Sequence, residues 1–334
     1  MNSIEFENKL FDLRRDYYRH RSVTLEEGFR PVSGKLGDFC VVPHDHAHHI
    51  FAIERRLEEG TPFFPGNEVF FCHASTENFK DWQVHDPVML IRPGTWEGTH
   101  VWAPSVIHWK DRFIMAYTGV NEFCSQDIGI AFSNDLFNWE RSPGNPISPA
   151  ANHPWSSWRP DVISSCRDPH LLIEGDRLYM TYTANTVQGA SCVAMTSTDD
   201  LRNWTDHGPI LVGAKDGFEA ALFVPHVQGQ MESSNLVKKQ GRWYLFVAEK
   251  RAEGKVRNWV YESDRMDAFE YSLGRPFWED AQKPHTVEIV KDRGTRSLLA
   301  GFAKTIRIGV VDWSERPLTG RLIVNDEELE EWLE

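Results

Sequence analysis

Arg112-Phe113-Ile114-Met115-Ala116-Tyr117 and Arg177-Leu178-Tyr179-Met180-Thr181-Tyr182 are the same phrase written twice, 65 residues apart. The phrase occurs three more times, as His48-His49-Ile50-Phe51-Ala52-Ile53, Arg242-Trp243-Tyr244-Leu245-Phe246-Val247 and Arg296-Ser297-Leu298-Leu299-Ala300-Gly301. Successive copies begin 64, 65, 65 and 54 residues apart. A second motif keeps the same beat. It reads Ser75…Phe79-Lys80-Asp81-Trp82, Ser133-Asn134-Asp135-Leu136-Phe137-Asn138-Trp139 and Ser197-Thr198-Asp199-Asp200-Leu201-Arg202-Asn203-Trp204, with a degraded copy at Ser263 to Phe269. Short β-rich units repeated at a fixed period predict a radially repeated sheet. Five units predict an all-β, five-bladed β-propeller.

About ten positions before each apolar run stand Asp38, Trp102, Asp168, Glu232 and Glu288. Equivalent positions in a propeller are related by rotation about the central axis, so residues opening the innermost strands ring that axis. One shared repeat phase for Asp38, Asp168 and Glu232 therefore predicts three carboxylates, from blades one, three and four, converging on one funnel. Trp102, in Trp102-Ala103-Pro104, takes the same phase in blade two and suits a wall or a platform for a sugar ring. A carboxylate entering an apolar strand has its pKa raised by desolvation and by neighbouring acids, as a general acid working near neutral pH requires. Arg167 precedes Asp168, and is expected either to hold that carboxylate charged or to reach a substrate hydroxyl.

Length and composition agree. The chain has 334 residues, 41% apolar and 25% charged, with a net charge of −13 and no basic stretch. That balance argues against a nucleic-acid partner, and no run nears the ~18 apolar residues of a membrane-spanning helix. No signal-type apolar core interrupts Glu5, Glu7, Asp12 and Asp16, so a cytoplasmic location is expected. Five cysteines (Cys40, Cys72, Cys124, Cys166, Cys192) without CxxC spacing read as buried free thiols.

Residues 1–33 are expected to form a helical lead-in, with a helix over 3–20 carrying Phe6, Leu10, Leu13 and Tyr17 on one face. The propeller is expected over 34–324 and a short acidic helix over 325–334, packing Leu329, Trp332 and Leu333 inward. Hairpin turns are expected at Pro43-His44-Asp45, Lys110-Asp111, Glu174-Gly175-Asp176 and Gln240-Gly241. The histidines of His44-Asp45-His46-Ala47-His48-His49 match no zinc spacing. They are read as a turn followed by a strand, with His49 a hydrogen-bonded core residue, and no metal or cofactor is assigned. Two long polar segments, 140–166 and 208–231, precede Asp168 and Glu232 and are expected to wall the funnel with Trp155, Trp158, Phe218, Phe223 and His226.

Gly37-Asp38, His49-Ile50-Phe51, Val101-Trp102-Ala103-Pro104, Arg167-Asp168-Pro169 and Glu232-Ser233-Ser234-Asn235-Leu236 resemble the signature blocks of the five-bladed glycoside hydrolases of families 32, 43, 62, 68 and 117. The resemblance spans roughly residues 34–305. Arg167-Asp168-Pro169 is similar to the fructan-cleaving families 32 and 68, and the Trp102 and Glu232 blocks to family 43. The Asn-Asp-Pro-Asn block of invertases is absent at Asp38, and Ser233 stands where Cys-Pro or Ala-Pro would follow the glutamate. The resemblance implies a hydrolase of terminal fructofuranosyl or arabinofuranosyl bonds, with Glu232 as acid, Asp38 as nucleophile or base, and Asp168 stabilising the transition state. Phe39, His100, Trp102 and Arg167 are then expected to bind a small oligosaccharide. A non-catalytic sugar-binding propeller and a transglycosylase are the alternative readings.

Overall fold

The computed structural model describes residues 22–30, 34–56, 68–213, 230–251, 256–279, 284–302 and 305–334. The helix expected over 3–20 lies outside the described residues, as do Phe218, Phe223 and His226. Five four-stranded antiparallel sheets follow one another in chain order. Blade I is β1 (Gly34–His44), β2 (Ala47–Arg56), β3 (Phe71–Thr76) and β4 (Gln83–Val88). Blade II is β5 (His100–Trp109), β6 (Arg112–Val120), β7 (Gln126–Ser133) and β8 (Glu140–Arg141). Blade III is β9 (Cys166–Glu174), β10 (Arg177–Asn185), β11 (Ser191–Thr198) and β12 (Thr205–Val212). Blade IV is β13 (Met231–Lys239), β14 (Arg242–Lys250), β15 (Val256–Ser263) and β16 (Arg275–Pro276). Blade V is β17 (Val287–Arg293), β18 (Arg296–Phe302), β19 (Ile306–Asp312) and β20 (Gly320–Leu322). The fold is the expected five-bladed propeller.

Each repeated apolar run is the second strand of its blade, joined to the first by a two-residue turn. Left-handed backbone occurs at Asp45 and His46, Lys110, Gly175, Gln240 and Gly241, and Gly294. Such turns match the right-handed twist of the strands they join. In blade I the turn falls later than Pro43-His44-Asp45. Proline's ring fixes φ near −65°, so Pro43 stays in β1 opposite His48 and the positive φ values pass to Asp45 and His46.

The second motif is a turn between the third and fourth strands. In blade II, Ser133 Oγ accepts from the Leu136 amide at 2.9 Å, and Asp135 Oδ1 accepts from Phe137 and Asn138 at 2.9 and 2.8 Å. The Trp139 indole closes the turn on the Leu136 carbonyl at 3.0 Å. Blade III repeats this with Thr198, Asp200 and Asn203. Blade I does so with Thr76, Asn78 and Asp81, the amide and the acid exchanged. The hydroxyl that counts in blades I and III is thus Thr76 or Thr198, one residue after the expected Ser75 and Ser197. Strand side chains alternate between faces, and those serines face the other way, onto His85 and His207 at 2.7 and 2.8 Å.

The core is the set of seams between blades, and all five cysteines are buried and free. The seam between blades V and I also takes in Val23, Leu25 and Phe29, together with Leu329 and Trp332 of the C-terminal helix α1 (Asp326–Leu333). Phe29 pairs with Ile306 through two backbone hydrogen bonds of 3.1 and 2.8 Å. Asn325 caps α1 by accepting from the Glu327 amide at 2.9 Å. Among the described residues, no helix is long and apolar enough to cross a membrane.

The Asp135 carboxyl is held down to about 2, first by its bond from the Asn138 amide. Because this folded value lies below the ordinary value near 3.9, the carboxylate stabilises the fold above about pH 4. That stabilisation is lost as pH falls through 2. Asp135→Ala should cost about 1 kcal/mol at neutral pH, modest because the group is largely in water. Urea denaturation should show the gap between variant and parent closing between about pH 4 and pH 2.

Candidate active site

Four first strands share one irregularity. The register runs Leu36↔Glu54 then Phe39↔Ala52, Trp102↔Thr118 then Ser105↔Ala116, Arg167↔Thr183 then His170↔Thr181, and Glu232↔Ala248 then Asn235↔Phe246. Three steps on the first strand match two on the second, so each inner strand carries a bulge at the same level of the ring. Its second residue is left-handed in blades II, III and IV, with φ of 44° at Ala103, 54° at Asp168 and 53° at Ser233. In blade I that position is Gly37, where a Cβ would lie 2.9 Å from the Cβ of Ile53.

This register corrects the expectation of one repeat phase. Glu232 occupies the first bulge position with Leu36, Trp102 and Arg167. Asp168 occupies the second, with Gly37, Ala103 and Ser233, and Asp38 the third, with Pro104, Pro169 and Ser234. The carboxylates converge because bulges turn successive residues in new directions, so three neighbouring positions on three blades face one another. Just below, Phe39, Ser105, His170, Asn235 and Glu288 form the next layer. Together with Asp38 and Asp168 they line an axial cleft of about 30 Å³.

Ser233 ties the acids together. Its hydroxyl donates to Asp38 Oδ2 at 2.8 Å and its amide donates to Asp168 Oδ2 at 3.1 Å. Thr118 Oγ1 accepts from the Asp168 amide at 3.0 Å, which holds the bulge. Arg167 Nε lies 3.3 Å from Asp168 Oδ2. Its other nitrogens donate to Ser165, the Met231 carbonyl and Gln126 at 3.0, 3.1 and 3.4 Å. Arg167 is buried with each of its three nitrogens engaged, which orients Asp168. On the other side, His285 Nε2 stands 3.9 Å from Asp38 Oδ1.

Arg167 draws the Asp168 carboxyl toward its charged form, and burial opposes it. Burial pushes the Asp168 carboxyl up to about 7, against the guanidinium and with the help of the charges on Asp38 and Glu232. Asp38 is also raised, by burial foremost, with His285 opposing and Glu232 reinforcing. Burial further raises Glu288 to about 8 and lowers His170 to about 4. Asp38, Asp168 and Glu288 around one cleft cannot all shed protons cheaply, and all three are raised.

The expected binding residues separate. Phe39 lines the cleft. Trp102 is half-buried, its indole donating to Glu68 Oε2 at 2.6 Å, and Glu68 is in turn paired with Arg55. His100 is 1% exposed and packs against Trp102, so it backs the wall instead of facing a ligand. Trp155 donates to Asp206 of the outermost strand of blade III at 3.0 Å, and Trp158 donates to the Gln126 carbonyl at 2.7 Å. Trp155 thus braces the rim and does not stand over the axis. Sequence reasoning did not find the bridging role of Ser233, nor His285 and His170. The bulge phase is the signal that would have placed Ser233 beside Ala103 and Asp168.

The family model described as the N-terminal domain of glycosyl hydrolases family 32 matches residues 61–225. That is just under half of the chain. It includes Arg167-Asp168-Pro169 but neither Asp38 nor Glu232. A comparison with curated proteins found no match in sequence. Solved structures resemble the chain in fold. A family 32 β-fructofuranosidase from Bombyx mori superposes with a TM-score of 0.70 at 16% identity, covering 96% of this chain and 70% of that one. A sucrose-6-phosphate hydrolase from Lactobacillus gasseri gives 0.67 at 13% identity, covering 94% and 66%. An α-L-arabinofuranosidase from Clostridium thermocellum gives 0.59 at 16% identity, covering 86% and 94%. The chain has the propeller fold of the family 32 and 43 glycoside hydrolases.

The pKa of Asp168 has a consequence for stability. Below about pH 4 this acid is protonated whether the chain is folded or not. Between about 4 and 7 it is protonated only when folded, so unfolding releases a proton and rising pH lowers stability. Asp168→Asn should therefore be more stable than the parent at pH 8, by about 1–3 kcal/mol. Thermal melts should show that advantage vanishing by pH 4.

Proposed function

We propose that the protein is a glycoside hydrolase that removes terminal furanose units, fructofuranosyl by preference, from small oligosaccharides. The observation that carries this reading is the convergence of Asp38, Asp168 and Glu232 on three successive bulge positions, two of them bridged by Ser233. The family 32 match over residues 61–225 supports the fructosyl preference. So does the likeness to the Bombyx mori enzyme, of which a variant was solved in complex with sucrose.

In this reading Glu232 donates its proton to the leaving-group oxygen as the glycosidic bond breaks. Asp38, oriented by Ser233, attacks the anomeric carbon with its carboxylate and forms a covalent glycosyl-enzyme. The Glu232 carboxylate then takes a proton from water, whose oxygen displaces Asp38 with net retention. Asp168 binds sugar hydroxyls and stabilises the oxocarbenium-like transition state. Asp38 must be ionised to attack. The Ser233 hydroxyl opposes the rise that burial imposes on it. Phe39 and Trp102 form the apolar surround, and a pocket for one or two sugars is the expected form.

Glu232→Gln should lose about 10²–10⁴ in turnover on substrates with poor leaving groups and much less on activated aryl glycosides. An equal, small loss on both would remove Glu232 from the acid role. Ser233→Ala leaves the amide bond to Asp168 in place but strips Asp38 of a donor. The acidic limb of its pH–rate profile should move to higher pH, and an unmoved limb would show that Ser233 does not tune Asp38. NMR of the first-formed anomer reports retention, and inversion would recast Asp38 as the base that activates water. Release of single sugars from chain ends is expected; mid-length fragments at the outset would contradict the pocket.

A further inference from the structure

We propose that His49, His73 and His85 bind one divalent transition-metal ion of the zinc class, through three imidazole nitrogens and a solvent molecule in the fourth position. The three residues lie on consecutive strands of blade I, β2, β3 and β4. His73 pairs directly with His85, while His49 lies diagonally across from His73, opposite Ser75. Side chains alternate along strands, and this register sets all three on the face turned to blade II. One nitrogen from each lies within 4.8 Å of the others. None of the three lines the axial cleft, so this site is separate from the carboxylates.

The geometry is close to what such an ion needs. Zinc–nitrogen bonds of about 2.0–2.1 Å in a tetrahedral site place the ligand nitrogens about 3.3–3.4 Å apart. His49 Nδ1 and His73 Nε2 now stand 2.9 Å apart, sharing a proton. Metal entry would open that pair by a few tenths of an ångström and draw the third ring in from a spacing of up to 4.8 Å, and the shared proton moves to the other nitrogen of its own ring. Ser75 Oγ, 2.7 Å from His85 Nε2, fixes the third ring, as a ligand's neighbour commonly does. Phe137 of blade II stands against all three rings and Phe51 stacks on His73 at 4.4 Å, which walls the cluster with apolar surface.

The donor set points to a transition-metal ion. His73 is 1% exposed and, among the described residues, its Nδ1 has no hydrogen-bond partner, while its Nε2 bonds within the cluster itself. No carboxylate belongs to the set. Three imidazoles select borderline ions such as Zn(II), Co(II) or Ni(II) over Ca(II) and Mg(II), which prefer oxygen. A bound ion would clip the three outer strands of blade I together.

The test uses the full chain after chelator treatment, titrated with Zn(II) by calorimetry and with Co(II) by visible absorption. One equivalent should bind, with intense d–d bands of a four-coordinate site and a melting temperature raised by a few degrees in excess metal. His85→Gln, a half-buried position, should weaken binding at least about tenfold. His46→Asn, at the exposed turn, should leave it unchanged. The weak, pale spectrum of six-coordinate Co(II), more than one equivalent without saturation, an equal response to Ca(II), or undiminished binding by His85→Gln would each overturn the proposal. Should His85→Gln fail to fold, the stoichiometry and Co(II) spectrum of the parent protein decide it.

Discussion

The extra residue in each inner strand is the constraint on which the site depends. A regular strand sends alternate side chains to opposite faces of its sheet, and in a blade both faces are covered by neighbouring blades. Nothing in a regular inner strand would look along the axis. The bulge breaks the alternation at one level in blades I to IV. It forces left-handed backbone on Ala103, Asp168 and Ser233, none of them glycine. L-residues enter that region at a cost of about 1–2 kcal/mol each. The surrounding bonds, Thr118 to the Asp168 amide and Ser233 to two carboxylates, over-determine the conformation.

Burial of like charges is the second cost, and it points the same way. Asp168 sits 5% exposed beside Arg167, yet its carboxyl rises because desolvation and two acidic neighbours outweigh one guanidinium already shared among four acceptors. A site built for stability alone would not place Asp38, Asp168 and Glu288 around a cleft of about 30 Å³. Structural ion pairs also shift pKa values, but they do so by pairing opposite charges; here the surplus is negative. The fold supports that surplus with the hydrophobic seams between its blades.

The fold was legible because the repeat survives in apolar residues that must fill the seams. Those residues cannot drift without opening cavities, so the second strands and the Ser133 and Thr198 turns keep their spacing. Asp38, Asp168 and Glu232 were legible as candidates, but not their true relation. Counting back about ten residues is too coarse: Asp168 stands nine before its run, and blade I has six residues from bulge to turn, Phe39–His44, where blades II to IV have five. The same alternation of faces misassigned Ser75 and Ser197, whose hydroxyls meet histidines instead of capping turns. Ser233 escaped notice because its bridging depends on contacts across 195 and 65 residues of chain. The histidine cluster escaped for the same reason: His49 is in a histidine-rich run, but its partners come from other strands.

Ring closure bears on chemistry through Asp38. Blades I and V meet at the seam where the segment 22–30 and the C-terminal helix pack, with Phe29 and Trp332 in one apolar cluster beside Phe39. Among its described residues, blade V contributes no carboxylate at the bulge level, but it supplies His285 near Asp38 and Glu288 in the layer below. That stretch is held from blade IV, where Asn258 donates to the His285 carbonyl at 3.1 Å and Asn235 to the Val287 carbonyl at 2.7 Å. Asparagine suits the task because its amide bonds a carbonyl without adding charge to an already acidic cleft. The position of His285, and with it the pull that opposes burial at Asp38, therefore depends on blades IV, V and I remaining in register. A propeller whose closure loosened would keep its blades and lose the alignment of its acids.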